Sequence, residues 1–151
     1  MPVWLTRILA TGLYTGLSPS IPGTTGTVPA WLLLWFLLPQ NWVVQTIVLI
    51  VILGISVWLA TEAEGIFGHD SKKIVIDEWA GMMVAVLFLP HTLTAYLLAF
   101  GAFRLFDVVK LWPAAQLERL PSGWGVTMDD VAAGVQANIL VRIIILIIAR
   151  V

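Results

Sequence analysis

Apolar residues in this chain come in long runs, and short polar breaks punctuate them. Residues 28–38 are apolar, Pro39, Gln40 and Asn41 break the run, and residues 42–60 are apolar again. Residues 79–89 and 93–106 repeat the plan around Pro90, His91 and Thr92, and a last run, 131–149, is interrupted by Arg142. A short Pro- or Asn-containing break between apolar runs is a turn signal, so each pair reads as a helical hairpin. The first arm is short against the roughly 20 residues that a bilayer core requires, so its helix could begin earlier, near Thr24. Residues 3–16 are mildly apolar and carry Arg7, which predicts a short interfacial helix. Residues 16–27 contain two prolines and three glycines and predict a structured loop, because proline removes donors and glycine widens the backbone's choices. Residues 107–130, with Pro113, Pro121, Gly123 and Gly125, predict a polar, irregular segment. The expectation is an all-α integral membrane protein forming one domain over residues 1–151. It would be a compact bundle of about five membrane-embedded helices: two hairpins plus a C-terminal helix, with the interfacial helix in front.

Composition turns that pattern into a statement about solvent. The chain is 60% hydrophobic and 11% charged, with a mean hydropathy of +0.96, whereas a soluble domain carries about 25% charged residues. So little polar surface cannot cover a globule, and the lipid bilayer becomes the expected partner. A net charge of −1 offers no basic field for nucleic acid. The absence of cysteine excludes disulfides, thiolate metal sites and a cysteine nucleophile. The first seven residues lack a basic n-region, which argues against a cleaved signal peptide.

Against this background the stretch 68–81 stands out. It holds Asp70, Asp77, Glu78, Lys72, Lys73 and His69, one of the chain's 2 histidines. In an antiparallel hairpin, residues equidistant from the tip lie side by side, so Asp77 comes level with Arg104 and Ile74 with Asp107. The same reasoning brings the 18–27 loop, Glu62, Glu64, Asp70, Lys110, Asp129 and Asp130 to one membrane face. Lys72, Lys73, Lys110 and Arg119 share that face while Arg150 lies opposite, which makes it cytoplasmic by the positive-inside rule.

Each of these residues also has a plainer reading. Asp77-Glu78 and Asp129-Asp130 each open an apolar run, where one acid of a pair serves as an N-cap, and Thr127 with Asp130 resembles a capping box. The second acid of each pair is then unexplained, and carboxylates near lipid are costly unless paired or bound to a cation. Converging carboxylates without cysteine suit a hard, oxygen-loving ion such as Mg²⁺. Arg104, Asp107 and Lys110, at i, i+3 and i+6, form either a salt-bridge ladder or a cationic clamp for phosphate. The 18–27 loop either holds an anion on free N–H groups or is a connector. His69 is either an acid/base group or a loop cap. Lys72 and Lys73 either attract head groups or, as the preferred reading, set topology. Arg142 should snorkel or pair internally, and His91 is read as interfacial.

Four segments together resemble the phosphatidylglycerophosphatase A family of bacterial lipid phosphatases. They are Gly16-Leu17-Ser18-Pro19 with Pro22-Gly23-Thr24 and Gly26; His69-Asp70 through Ile74-Val75, Asp77-Glu78 and Gly81-Met82; Phe103-Arg104, Asp107, Lys110 and Trp112-Pro113; and Gly123, Gly125, Met128-Asp129-Asp130 and Ala133-Gly134. Leu111 departs from the family's usual proline, and Lys72 and Lys73 fall at variable positions. The resemblance implies Mg²⁺-dependent hydrolysis of phosphatidylglycerophosphate to phosphatidylglycerol and phosphate, at the cytoplasmic side of a multi-pass inner-membrane protein. It implies that Asp77, Glu78, Asp129 and Asp130, with Asp107 and Asp70 beside them, form the catalytic acids, and that Asp77, Glu78, Asp129 and Asp130, with or without Asp107, hold one or two Mg²⁺ ions. Arg104, Lys110, Ser18, Gly23, Thr24 and His69 would bind the substrate phosphate. Water and an aspartyl nucleophile both stay open, and no obligate protein partner follows. The rival class is an ion-coupled transporter, which would carry its acids at mid-depth rather than at helix ends. The acid spacing of a CDP-alcohol phosphotransferase, Asp-x2-Asp-Gly-x2-Ala-Arg, is absent.

Overall fold

The computed structural model describes residues 1–68 and 71–150, so His69 and Asp70 lie outside the described residues. Among the described residues seven α-helices follow one another: α1 Val3–Ala10, α2 Pro22–Leu37, α3 Trp42–Phe67, α4 Ile76–Val86, α5 Leu93–Val109, α6 Ala114–Leu117 and α7 Gly123–Ile148. A 3-10 turn, Thr15–Leu17, lies between α1 and α2. No strand occurs among the described residues.

The organising element is α4, whose residues are all buried except Trp79. Small residues make that burial possible. A Cβ on Gly134 of α7 would collide with the Gly81 carbonyl oxygen, and one on Gly81 would sit 2.5 Å from the Phe103 ring. The two backbones therefore touch, and α7 carries Asp129-Asp130 directly beside the first turn of α4. Around this contact, Met82, Met83, Leu89, Tyr96 and Phe103 form the fully buried core.

Helices α3 and α7, 26 residues each, are long and apolar enough to cross a membrane, and only 22% and 28% of their most apolar stretches are buried. The core helix of a soluble domain is mostly buried; these present apolar side chains outward, as Ile50 and Ile148 do. Both helices thus have the length, composition and outward apolar faces that a membrane span requires. Helices α2, α4 and α5, at 16, 11 and 17 residues, fall short of the roughly 20 needed to span a bilayer alone. Two helices rather than five thus qualify as spans by length and composition.

Helix boundaries differ from the sequence reading where glycine, proline and threonine gather. Residues 22–27 are the first turns of α2 rather than loop. Pro22 at N1 has no N–H to waste and presets φ, while the Thr25 hydroxyl lies 3.0 Å from the Ile21 carbonyl. α3 continues past Ala60 to Phe67. α7 begins at Gly123, not at 131, because its glycines permit close approach: a Cβ on Gly123 would strike the Val57 carbonyl, and one on Gly125 would lie 2.6 Å from that of Glu118. Asp129 and Asp130 are therefore about two turns inside a helix. They still mark the start of the apolar run, since residues 131–148 supply ~27 Å of apolar helix at about 1.5 Å per residue.

Candidate active site

A cavity of about 530 Å³ opens where the N-terminal turns of α2 and α4 meet the end of α5 and the outer turns of α7. It gathers Gly23, Thr24, Asp77, Glu78, Arg104, Asp107, Lys110, Asp129 and Asp130, all singled out from sequence. Ser18 does not line it, its N–H bonding the Thr15 carbonyl instead; Ser20 does.

Neither acid pair caps its helix. The N-cap of α4 is Val75 and that of α7 is Ser122, and neither side chain bonds a helix N–H. Thr127 forms no capping box either, its hydroxyl meeting that of Ser56 at 2.9 Å. The four carboxylates are buried, from 3% exposed at Asp130 to 9% at Asp77. The start of α4 is fixed from outside, by the Val75 N–H donating to the Ala10 carbonyl at 2.9 Å.

Arg104 sits among acids from two helices. Its Nη1 is 2.6 Å from Asp107 and 3.5 Å from Glu78 Oε1. Thr27 joins the group: its hydroxyl lies 2.8 Å from Glu78 Oε2 and receives a long, 3.4 Å contact from Arg104. Sequence reasoning placed Arg104 level with Asp77; the ion pair forms one residue further, with Glu78. Lys110 does not continue a ladder along α5. It ends the helix in a left-handed conformation (φ 47°), and its ammonium reaches Glu118 at 2.6 Å and Asp129 at 2.8 Å. Burial weakens this ammonium's hold on its proton, but hydrogen bonds and charge pairing with Asp129 and Glu118 win, raising its pKa above the usual lysine range. The salt-bridge ladder, one of the two readings of the i, i+3 and i+6 spacing, therefore stops at the Arg104–Asp107 pair.

Gly23 is where the backbone must come close. A Cβ there would lie 2.5 Å from Arg104 Nη2 and 2.6 Å from Glu78 Oε1. The first turn of α2 also leaves the N–H groups of Gly23 and Thr24 without intrahelical partners, pointing the positive helix end at the cavity.

Among the described residues, two buried atoms in this cluster have no hydrogen-bond partner: Asp77 Oδ1 and Arg104 Nε. One is an acceptor that suits a cation, the other a donor that suits an anion. Among the described residues no three acidic or imidazole groups are gathered at a single ligand point. Mg²⁺ does not require that, because it keeps several waters and binds through one or two carboxylates plus substrate phosphates. Charge balance favours such an ion. Asp77, Glu78, Asp107, Asp129 and Asp130 outnumber Lys72, Arg104 and Lys110 among the lining residues. The all-oxygen donor set fits Mg²⁺.

Sequence reasoning missed Thr27, Glu118 and the placement of Lys72. Thr27 was hidden in a segment read as loop, and Glu118 in one read as irregular. Lys72, read as an orientation signal, lines the cavity, while Lys73 lies over the Phe67 ring, 5.8 Å from its centroid. Glu62 and Glu64 stand outside the cavity on α3, Glu62 facing the N-terminal ammonium at 3.9 Å.

Known proteins place this cavity in a family. A protein of Bacteroides thetaiotaomicron named "Putative phosphatidylinositol-3-phosphatase" is 36% identical over 150 residues, covering 94% of each chain. Phosphatidylglycerophosphatase A of Escherichia coli K12 is 36% identical over 135 residues, 85% of this chain and 77% of the relative. That of Haemophilus influenzae is 34% identical over 142 residues, 89% and 85% of the two chains. No solved structure matches the chain. The family model for phosphatidylglycerophosphatase A matches residues 8–145. That span takes in every residue lining the acidic cavity, and the chain belongs to the phosphatidylglycerophosphatase A family.

Proposed function

We propose that this protein hydrolyses the terminal phosphate monoester of phosphatidylglycerophosphate, releasing phosphatidylglycerol and phosphate, with Mg²⁺ as its cofactor. Family membership supports a lipid phosphatase. The observation that carries the residue assignment is the pair of unsatisfied buried groups, Asp77 Oδ1 and Arg104 Nε, among residues of one acidic cavity. A buried polar atom left unpaired costs about 1–3 kcal/mol, so its retention calls for a ligand.

In this reading Asp77, Glu78, Asp129 and Asp130 hold the ion. When bound, Mg²⁺ neutralises phosphate charge and makes the attacking water more acidic. Arg104 and the N–H groups of Gly23 and Thr24 hold the phosphate oxygens and stabilise the charge of the transition state. Asp107 fixes the guanidinium, Thr27 fixes Glu78, and Lys110 holds Asp129. Water adds to phosphorus, the ester P–O bond breaks, and the departing glycerol oxygen takes up a proton.

The relatives' names differ in head group but share a chemistry: a phosphate monoester on a head group joined to diacylglycerol through a phosphodiester. Phosphatidylglycerophosphate is favoured because the family model and two relatives carry that name. The short helices α2, α4 and α5 would lie within the bilayer beside α3 and α7. The cavity would face the cytoplasm of a bacterial inner membrane, since Lys72, Lys73, Lys110 and Arg119 cluster on its side.

The test is phosphate release by detergent-purified protein from phosphatidylglycerophosphate and from phosphatidylinositol 3-phosphate, with Mg²⁺ and with EDTA. Release from the first lipid that EDTA abolishes and Mg²⁺ restores is the expected result. Equal release in EDTA would remove the metal; release only from the inositol lipid would reassign the head group. No release from either would refute the reading. Single cysteines at positions 73 and 119, in a chain that has none of its own, should react with an impermeant thiol reagent only from the cytoplasmic side.

A further inference from the structure

Among the residues lining the acidic cavity, the exposed ones are Ser20, Ile21, Lys72 and Val108, and they form its rim. The rim has two characters. Ile21 and Val108 are 56% and 73% exposed and apolar, whereas Lys72 is a cation. The inner cations are already engaged, Arg104 by Asp107 and Glu78, Lys110 by Asp129 and Glu118. Lys72 makes no ion pair among the described residues. Its neighbour Lys73 is held over Phe67 and does not line the cavity.

We propose that Lys72 is a specificity-determining residue that binds the second phosphate of the substrate, the phosphodiester linking the head group to diacylglycerol. This rests on the phosphatase reading above. The reacting monoester must reach the buried carboxylates and Arg104. The diester, one glycerol unit away, then lies further out, level with the rim, and the acyl chains beyond it meet apolar side chains at Ile21 and Val108. A monoanion placed at the rim requires a cation not already committed to a carboxylate, and Lys72 meets that requirement. A phosphatidic acid, with its single phosphate, would gain nothing from this residue. Selectivity for lipids carrying both a monoester and a diester thus resides at the rim, apart from the groups that act on the reacting phosphate.

The two products separate the two halves of the site, so they serve as probes. Short-chain phosphatidylglycerol retains the diester, and inorganic phosphate represents the reacting group. Lys72→Ala should raise KM for phosphatidylglycerophosphate and Ki for phosphatidylglycerol about fivefold, the scale of one exposed charge pair. It should leave kcat and Ki for inorganic phosphate unchanged, and Lys72→Arg should restore the lost binding. Lys73→Ala, with the same change in charge, should alter none of these constants. An unchanged KM, or a Ki for inorganic phosphate that rises as much as that for phosphatidylglycerol, would overturn the assignment while leaving the hydrolase intact. So would an equal effect of Lys73→Ala, because the influence would then be general rather than local. Wild-type protein that releases no phosphate would overturn the hydrolase reading itself, and this one with it.

Discussion

The two ends of α4 are built from opposite principles. At its C-terminus, deep in the bundle, the last carbonyls find partners on other helices. Asn138 of α7 shares its amide protons among the carbonyls of Val84, Ala85 and Leu87 at 2.9–3.2 Å. Arg142 donates to the Leu87 carbonyl at 3.0 Å and to Asn138 Oδ1 at 2.7 Å. Gln45 of α3 accepts from the Phe88 N–H at 2.9 Å. A helix of 11 residues that stops inside a membrane protein leaves carbonyls that lipid cannot satisfy, so it must import donors. At the N-terminus the chain does the reverse, crowding carboxylates together and leaving Asp77 Oδ1 and Arg104 Nε without partners. Side chains of other helices thus cover the last backbone groups of α4, whereas its first turn faces the acidic cavity with a carboxylate oxygen unpaired among the described residues.

The sharpest way to break this comparison is to make one conservative change at each end and measure both activity and stability. Asp77→Asn should lower phosphate release about 10³-fold, the upper range for losing one electrostatic group in a preorganised site. Its melting temperature should hold or rise, because one of several crowded carboxylates is gone. Asn138→Leu should do the opposite. It strands helix carbonyls at about 1–3 kcal/mol each, a loss of roughly 3 kcal/mol in unfolding free energy, while kcat per folded molecule stays at the wild-type value. Phosphate release and thermal melting of the same detergent preparations check both. A stable, inactive Asn138→Leu or an unfolded Asp77→Asn would show that the two ends are not so divided.

Much of this contrast was legible in the sequence, and the misreadings have a common cause. Apolar runs located the long helices, since lipid-facing positions must be apolar whatever their neighbours. The acids at 77, 78, 129 and 130 were visible because charge is rare in this chain. What sequence could not give was the path of glycine- and threonine-rich backbone. Residues 22–27 and 123–130 look like loop by propensity, yet Gly23, Gly123, Gly125 and Gly134 are glycine because a neighbour lies where a Cβ would be. Such a reason exists only in three dimensions. Lys110 was singled out but its partner was not foreseen: its spacing placed it on the α5 face, and a left-handed conformation at the helix end turned it to Asp129. Asn138, the key to the other end of α4, is an ordinary polar residue in an apolar run until its partners are known.

Gly23→Ala tests the functional end through its backbone rather than its charges. The added methyl would sit 2.5 Å from Arg104 Nη2, so the guanidinium must shift by tenths of an ångström while keeping its charge. Displaced positioning of one clamp should lower kcat about tenfold, equivalent to about 1.4 kcal/mol at the transition state. Stability should change little, because alanine is the better helix former at this site in the first turn of α2. A rate equal to wild type would mean that Arg104 tolerates movement and does not hold the reacting phosphate.

Arg142→Met is the smallest change and the most discriminating at the structural end. Methionine keeps most of the side chain's apolar length but removes the contacts to the Leu87 carbonyl and Asn138 Oδ1. Asn138 remains to donate to Leu87, so only one carbonyl loses part of its coverage, and about 1 kcal/mol of stability should be lost. Removing a charge from an apolar helix also lowers the cost of placing that helix in lipid, which offsets part of the loss. The combined variant with Asn138→Leu distinguishes a shared cap from two separate ones. If the two residues back each other up on the Leu87 carbonyl, Arg142→Met should cost more once Asn138 is gone, because that carbonyl then loses its last side-chain donor, whereas independent contacts would give additive losses in thermal stability.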